Sequence, residues 1–162
     1  MALLKTKDYL TLGNGASGFL AIVLYFPFGY FASAALVLLA VVFDVLDGLI
    51  ARKTNSHDEF GKQLDSLSDA VSFAAAPAVV VSLYFGLDLL VSCAALFFLF
   101  SGLIRLAKFN VQKNDGFYYG LPSPLATVAV MAFAWMNYYL ALLVLFGTGL
   151  LMLSNWKNKK PF

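Results

Sequence analysis

Long stretches without Asp, Glu, Lys, Arg or His alternate with short charged segments along the chain. Four such stretches have 35, 18, 16 and 41 residues and cover positions 9–43, 70–87, 89–104 and 116–156. A helix that spans a bilayer needs about 20 apolar residues, with about 17 as the lower bound. The first and last stretches are long enough for two helices each, and the middle stretches supply one each. The pattern predicts an all-α integral membrane protein with six transmembrane helices.

Helix-breaking residues lie where six spans require turns. Residues 27–29 (Pro-Phe-Gly) predict the turn between the first and second helices. Gly86 and Asp88 predict the turn between the third and fourth helices. Asn137 is the candidate turn between the fifth and sixth helices. It leaves about 16 residues for the fifth helix counted from Leu121, which is short for a span.

Polar segments precede the first span and separate the second from the third. Residues 1–8 carry mixed charge and are predicted to be a short N-terminal juxtamembrane segment, for which a helix lying on the membrane surface is one reading. Residues 53–60 are predicted to be a polar loop. Almost nothing is left for a soluble domain, so residues 1–162 are predicted to form one membrane domain.

The basic residues predict how the spans are oriented. All 11 Lys and Arg residues lie before the first span, in the second and fourth loops, or after the last span. A six-span arrangement places these four regions on one side of the membrane. By the positive-inside rule this side is cytoplasmic, which predicts a multi-pass protein of the cell membrane with both termini in the cytoplasm.

Composition agrees with a membrane protein and excludes several other classes. Hydrophobic residues make up 61% of the chain and charged residues only 12%, which is too little polar surface for a soluble domain. The net charge of +2 comes from basic residues near the membrane, which favour anionic lipid headgroups and give no indication of nucleic-acid binding. A single cysteine, Cys93, excludes a disulfide framework and a metal–thiolate site.

Four of the nine acidic residues cluster at the ends of two predicted spans. Asp44 and Asp47 lie near the end of the second helix, and Asp65 and Asp69 lie at the start of the third. At about 100° per residue, each pair occupies one face of its helix. A carboxylate within the bilayer is unfavourable by about 2.5–3.5 kcal/mol on insertion scales, so these residues predict a functional site.

Such a cluster predicts bound cations. Because the second and third helices are joined by a short loop, we expect their acidic faces to converge, and four facing carboxylates cannot all be ionised without cations. Oxygen ligands suit Mg²⁺ or Mn²⁺, with Ca²⁺ as a further possibility. Two ions about 4 Å apart would form a phosphoryl-transfer site. Gly48, Ala51 and Gly61 share the acidic faces and leave room for a phosphate, while Arg52 can reach a diphosphate.

Residues 44–69 carry a specific pattern. They read D-V-L-D-G-L-I-A-R, eight residues, G, three residues, D, three residues, D. This segment resembles, with no departure, the pattern of the CDP-alcohol phosphotransferase family, whose members have six membrane helices. The resemblance implies a metal-dependent enzyme that acts on a CDP-linked lipid, and it suggests a homodimer.

The resemblance also implies residue roles. It implies that Asp44, Asp47 and Asp65 bind metal, that Asp69 contacts the second metal and is the general base, and that Gly48, Ala51, Arg52 and Gly61 accept the CDP diphosphate. A serine hydroxyl is a poor nucleophile at neutral pH, so a carboxylate that takes its proton is chemically reasonable.

The second half of the chain indicates the acceptor. Residues 105–110 (R-L-A-K-F-N) and 120–124 (G-L-P-S-P) are similar to segments of the serine-transferring subfamily, with Lys108 where arginine is commoner. This similarity implies that Arg105, Lys108 and Asn110 bind L-serine. Residues 11–18 resemble the first helix of the same subfamily, in which the asparagine, here Asn14, faces the nucleotide.

Several alternatives stay open from sequence alone. Glycerol phosphate or inositol phosphate would also require Arg105 and Lys108, and both residues can instead anchor a span at the interface. Asn14 can be a helix cap at the interface. The lipid can carry diacylglycerol or archaeol. A small ion transporter is the alternative of another class, because carboxylates within membranes also mark ion pathways.

Overall fold

The computed structural model describes residues 6–54, 59–111, 117–154 and 157–159. Within these residues the elements, in chain order, are α1 (Thr6–Val23), α2 (Tyr25–Thr54), α3 (Glu59–Asp69), a π-helix (Ala70–Ala75), α4 (Ala76–Tyr84), α5 (Leu89–Val111), β1 (Phe117–Tyr119), α6 (Ser123–Phe133), α7 (Tyr138–Leu153) and β2 (Lys157–Lys159). The strands form one short antiparallel ribbon. The described chain is therefore almost entirely helical.

Among the described residues, three helical segments are long and apolar enough to cross a bilayer. They are Tyr25–Ile50, Glu59–Tyr84 and Leu89–Val111, and the second of them comprises α3, the π-helix and α4. Helices α6 and α7 are apolar but shorter. Many large apolar side chains on the outer surface are exposed, as expected of helices that face lipid, while Phe73, Phe98 and Leu145 are fully buried between the helices. The fold is that of an integral membrane protein.

The backbone leaves helical geometry at Gly29, within the turn predicted at 27–29, although the boundary between α1 and α2 lies at Leu24, and Asp88 caps a helix at its predicted turn. Gly29 has a φ of 76°, a left-handed conformation that glycine adopts readily, and it kinks the start of α2. Asp88 begins α5, where its carboxylate accepts from the backbone N–H groups of Leu90 and Val91. The Val91 N–H and the Tyr138 hydroxyl hold the pKa of Asp88 below its usual range. This acid is thus a helix cap at the end remote from the acidic cluster.

The boundaries of two predicted elements were wrong. The loop predicted at 53–60 is shorter, because α2 continues to Thr54 and α3 begins at Glu59. The helix predicted from Leu121 begins at Ser123, since Pro122 has an extended backbone, and it ends at Phe133. Asn137 is extended and caps α7.

The N-terminal boundary also differs from the prediction. Helix α1 begins at Thr6, and Asp8 within it is buried, so part of the segment predicted to precede the first span belongs to that helix. Residues 1–5 lie outside the described part of the chain.

Hydrogen bonds between distant residues show which helix ends meet. They join Thr11 to Asp47, Ser66 to Asn110, Arg105 to Ser123, and Leu121 to Leu151. The start of α1, the end of α5, the start of α6 and the end of α7 therefore lie at the end of the bundle that carries the four acids. At the opposite end, aromatic rings pack edge to face, among them Tyr84 on Phe85 and Phe85 on Tyr138.

Candidate active site

Three of the four predicted acids meet between two helices. Asp44 and Asp47 extend from α2, and Asp65 extends from α3. One ligand oxygen from each lies within 4.8 Å of the other two. Asp47 is buried and its two neighbours are half-buried, so the group opens on one side. Three carboxylates at this separation can share a cation.

Asp69 lies beside this trio in a different environment. It is only 8% exposed, and Asp44, Asp65 and Asp47 all act on it electrostatically. One of its oxygens accepts a hydrogen bond of 2.8 Å from the amide Nδ2 of Asn14. This bond fixes the orientation of one carboxylate oxygen and leaves the other for a different partner.

Helix α1 forms a further wall of the site. Thr11 donates from its hydroxyl to Asp47 Oδ2 at 2.8 Å, and Asn14 lies three residues later, on the same face of the helix. Thr11 was not predicted as a site residue. The available signal was that three polar side chains, Thr11, Asn14 and Ser17, recur every three residues within an otherwise apolar span.

Two glycines let α1 approach α3 and the π-helix that follows it closely. A Cβ atom at Gly18 would lie 2.4 Å from Ser72 Cα, and one at Gly15 would lie 3.2 Å from Ser68 Oγ. The first distance is too short for any side chain. This packing holds Asn14, which lies one turn before Gly18, next to Asp69.

Open space and an unsatisfied polar atom adjoin the acids. A Cβ atom at Gly48, one residue after Asp47, would have no neighbour within 4 Å. Asn14 is fully buried, yet its Oδ1 has no hydrogen-bond partner among the described residues. Buried polar atoms are usually satisfied, so this oxygen is an exception among the described residues, and it lies on the side chain that binds Asp69.

The residues present fit a divalent cation. Among the described residues the donors are carboxylate oxygens, and the three donors converge within one ion's reach. Thr11 orients one of them, as second-shell hydrogen bonds do in metal sites. Hard cations such as Mg²⁺ and Mn²⁺ prefer such donors, and zinc does not.

The predicted diphosphate-binding residues are described unequally. Gly61 is buried in α3. Ala51 and Arg52 lie in the last turn of α2, but their side chains fall outside the described part of the structure. Their roles stay predictions.

The three residues predicted to bind the acceptor substrate differ in their contacts. Arg105 is half-buried, donates to Ser123 Oγ at 2.6 Å and acts electrostatically on Asp44. The Asn110 amide and the Ser66 hydroxyl are bonded to each other. Lys108 is exposed.

Of the three residues predicted to bind the acceptor substrate, Arg105 is linked electrostatically to Asp44, whereas the Asn110 side chain is hydrogen-bonded to Ser66 of α3. Neither Ser123 nor Ser66 was predicted as a site residue, because single serines carry no spacing signal.

The fold and the site define an integral membrane protein with a candidate metal centre at one end of its helices. The family model for CDP-alcohol phosphatidyltransferases matches residues 6–156. The chain belongs to this family and is a CDP-alcohol phosphotransferase.

Three relatives show how the similarity is distributed. The chain is 38% identical to a CDP-diacylglycerol–serine O-phosphatidyltransferase of Methanocaldococcus jannaschii, over 98% of this chain and 75% of the relative. It is 37% identical to an archaetidylserine synthase of Methanothermobacter thermautotrophicus, over 91% of this chain and 66% of the relative. It is 35% identical to a CDP-diacylglycerol–serine O-phosphatidyltransferase of Saccharomyces cerevisiae, over 82% of this chain and 54% of the relative.

Proposed function

We propose that this enzyme transfers a phosphatidyl-type group from CDP-diacylglycerol or CDP-archaeol to the hydroxyl of L-serine, with release of CMP. The acidic cluster carries the proposal, because three carboxylates meet at one point and a fourth stands beside them. The names of the relatives support serine as the acceptor. Those names include both lipid types, so the donor is proposed only as a CDP-linked lipid.

The proposed reaction is a direct displacement at phosphorus. The serine oxygen forms a bond to the phosphorus that carries the lipid, and the bond from this phosphorus to the bridging oxygen breaks, with its electrons leaving on CMP. Asp69 takes the hydroxyl proton through its carboxylate. The amide of Asn14 holds Asp69 in one orientation for this transfer.

The donor set supports Mg²⁺ or Mn²⁺ as cofactor, with Asp44, Asp47 and Asp65 as ligands and Asp69 as a contact to a second ion. When bound, such ions offset the negative charge of the diphosphate and of the departing CMP. The open space beside Gly48 is where the diphosphate would approach the backbone of α2. Gly61, Ala51 and Arg52 are proposed as further diphosphate contacts.

Arg105 is proposed to bind the serine carboxylate. It is a half-buried cation within electrostatic range of Asp44, and its bond to Ser123 orients the guanidinium. Lys108 is exposed nearby on the same helix and adds positive charge. Asn110 is proposed to accept from the serine ammonium group, which would require its bonds to Ser66 to rearrange.

We further propose that residues 1–162 form one domain of six spans, as a homodimer in the cell membrane. Six helical units in the described part of the chain, with α3, the π-helix and α4 counted as one, support the number of spans. The basic residues support a cytoplasmic location for both termini and the active site. For the dimer, cross-linking in membranes is expected to give a species of about twice 17.6 kDa.

An acceptor panel tests the proposed function. Purified protein in detergent receives CDP-diacylglycerol or CDP-archaeol, Mn²⁺ or Mg²⁺, and one of L-serine, glycerol phosphate or inositol phosphate. CMP release that requires L-serine is the expected result. Release with glycerol phosphate or inositol phosphate but not with serine would retain the family and contradict the roles proposed for Arg105, Lys108 and Asn110.

A further inference from the structure

The helix that carries Asp65 and Asp69 widens directly after Asp69. Residues 70–75 form a π-helix, in which the N–H of Ala76 bonds to the carbonyl of Val71, five residues earlier. An α-helix would use the residue four positions earlier. A π-turn within an α-helix is rare and occurs frequently at functional sites.

Pro77 explains why the helix cannot stay regular here. Proline has no backbone N–H, so it cannot donate to the carbonyl of Phe73, four residues before it, and its ring crowds that carbonyl. Phe73 is completely buried, so its carbonyl oxygen needs another donor.

Thr127 of α6 supplies that donor. Its hydroxyl lies 2.7 Å from the carbonyl oxygen of Phe73, 54 positions away in sequence. Thr127, like Phe73, is 0% exposed, so water does not compete for this bond. A hydrogen bond in such surroundings is stronger than one exposed to water, and its loss leaves a buried acceptor unsatisfied.

The width of this turn determines where Asp69 points. One extra residue in a helical turn rotates the part of the helix before the turn, here α3, by about 100° relative to the part after it, here α4. The part after the π-helix is held by the core, where Ala76, Val80 and Val81 are completely buried. The conformation of residues 70–75 therefore determines whether the Asp69 carboxylate faces Asn14 and the other acids.

We propose that Thr127 positions Asp69 by holding the π-helix through the Phe73 carbonyl. The proposal rests on the general-base role given to Asp69 above. Thr127 acts on Asp69 through the backbone between Phe73 and Asp69, not through a contact with the acids.

Thr127→Val tests this, because it keeps the side-chain shape and removes the donor, while Thr127→Ser keeps the donor. Ser33→Ala is the matched control, since Ser33 is equally buried and its hydroxyl bonds to the carbonyl of Ala21 on another helix. We expect Thr127→Val to lower kcat for CMP release about 10-fold or more, with KM for the CDP-lipid within about threefold. Thr127→Ser and Ser33→Ala should keep kcat within about threefold of the wild type.

Amide hydrogen exchange gives a readout that does not depend on the reaction. In Thr127→Val, amides of residues 70–78 should exchange faster than in the wild type, and those of α5 should not. Unchanged exchange at 70–78 would overturn the proposal even if the enzyme used an acceptor other than serine. Lower thermal stability with unchanged kcat, or a Thr127→Ser variant as impaired as Thr127→Val, would also overturn it. Thr127→Ala is the second donor-free variant in case Thr127→Val does not fold.

Discussion

Each carboxylate of the acidic cluster has its own surroundings. Asp47 is buried and accepts from Thr11, whereas Asp69 is buried and accepts from Asn14. Asp44 and Asp65 are half-buried and complete the trio that can hold a cation. Helix α1 thus orients two of the four aspartates, Asp47 and Asp69. Because their surroundings differ, the four aspartates can have different roles.

Thr11→Val is expected to weaken metal binding. The substitution removes the donor to Asp47 Oδ2 and leaves the side-chain shape nearly unchanged. Loss of a second-shell partner typically lowers metal affinity by about 10- to 100-fold. The Mn²⁺ concentration that gives half-maximal CMP release should rise accordingly, and Thr11→Ser should restore it. An unchanged Mn²⁺ requirement in Thr11→Val would contradict this role.

Gly48→Ala is expected to separate stability from activity. A Cβ atom at Gly48 meets nothing within 4 Å, so the free protein accommodates it, and helix propensity favours alanine by about 0.5–1 kcal/mol. The methyl group would occupy the space proposed for the diphosphate, so KM for the CDP-lipid should rise.

Gly147→Ala is the matched control for Gly48→Ala. Gly147 lies in α7, and a Cβ atom there also meets nothing within 4 Å. Kinetics and thermal unfolding in detergent should show both variants at least as stable as the wild type, with only Gly48→Ala impaired in activity. Equal activity of the two variants would show that the diphosphate does not approach Gly48.

At the scale of elements, α1 and the π-helix explain how the site is assembled. The turns at Gly29 and Asp88 were predictable, since glycine and aspartate act locally at helix ends. The acids that converge were predictable from their spacing along two helices. The π-helix was not, because it depends on a donor from Thr127, 54 positions from Phe73.

Gly18→Ala is expected to destabilise the packing of α1 on the π-helix that follows α3. The new Cβ would lie 2.4 Å from Ser72 Cα, a backbone atom that cannot rotate away. Overpacking of this kind typically lowers the free energy of unfolding by about 1–3 kcal/mol. Thermal unfolding in detergent checks this, with Gly147→Ala as the control that adds the same methyl group in open space. A Gly18→Ala variant as stable as the control would contradict the close approach.

At the scale of the whole molecule, hydrogen bonds hold four helix ends near the acids: the start of α1, the end of α5, the start of α6 and the end of α7. The charge pattern predicted this arrangement, because the basic segments lie at the same helix ends as the acids. The short length of α6 was only partly predictable, since α6 begins after Pro122 but already ends at Phe133, before the turn predicted at Asn137.

Cysteine labelling in intact cells tests the orientation. In a Cys93→Ser background, Leu87→Cys lies in the exposed turn between α4 and α5, and Lys62→Cys lies exposed on α3 near the acids. A membrane-impermeant thiol reagent should label Leu87→Cys in intact cells and Lys62→Cys only after permeabilisation. The reverse pattern would place the active site outside the cytoplasm.

Metal titration of Asp69→Asn beside the wild type tests the metal dependence of the reaction and the proposed role of Asp69 together. Both proteins are freed of metal, supplied with CDP-lipid and L-serine, and titrated with Mn²⁺ while CMP release is measured. We expect wild-type release to depend strictly on the metal, and we expect Asp69→Asn to fold and bind the CDP-lipid but to release almost no CMP. Full release by a folded Asp69→Asn protein would contradict the role proposed for Asp69, and wild-type release without metal would contradict the metal dependence.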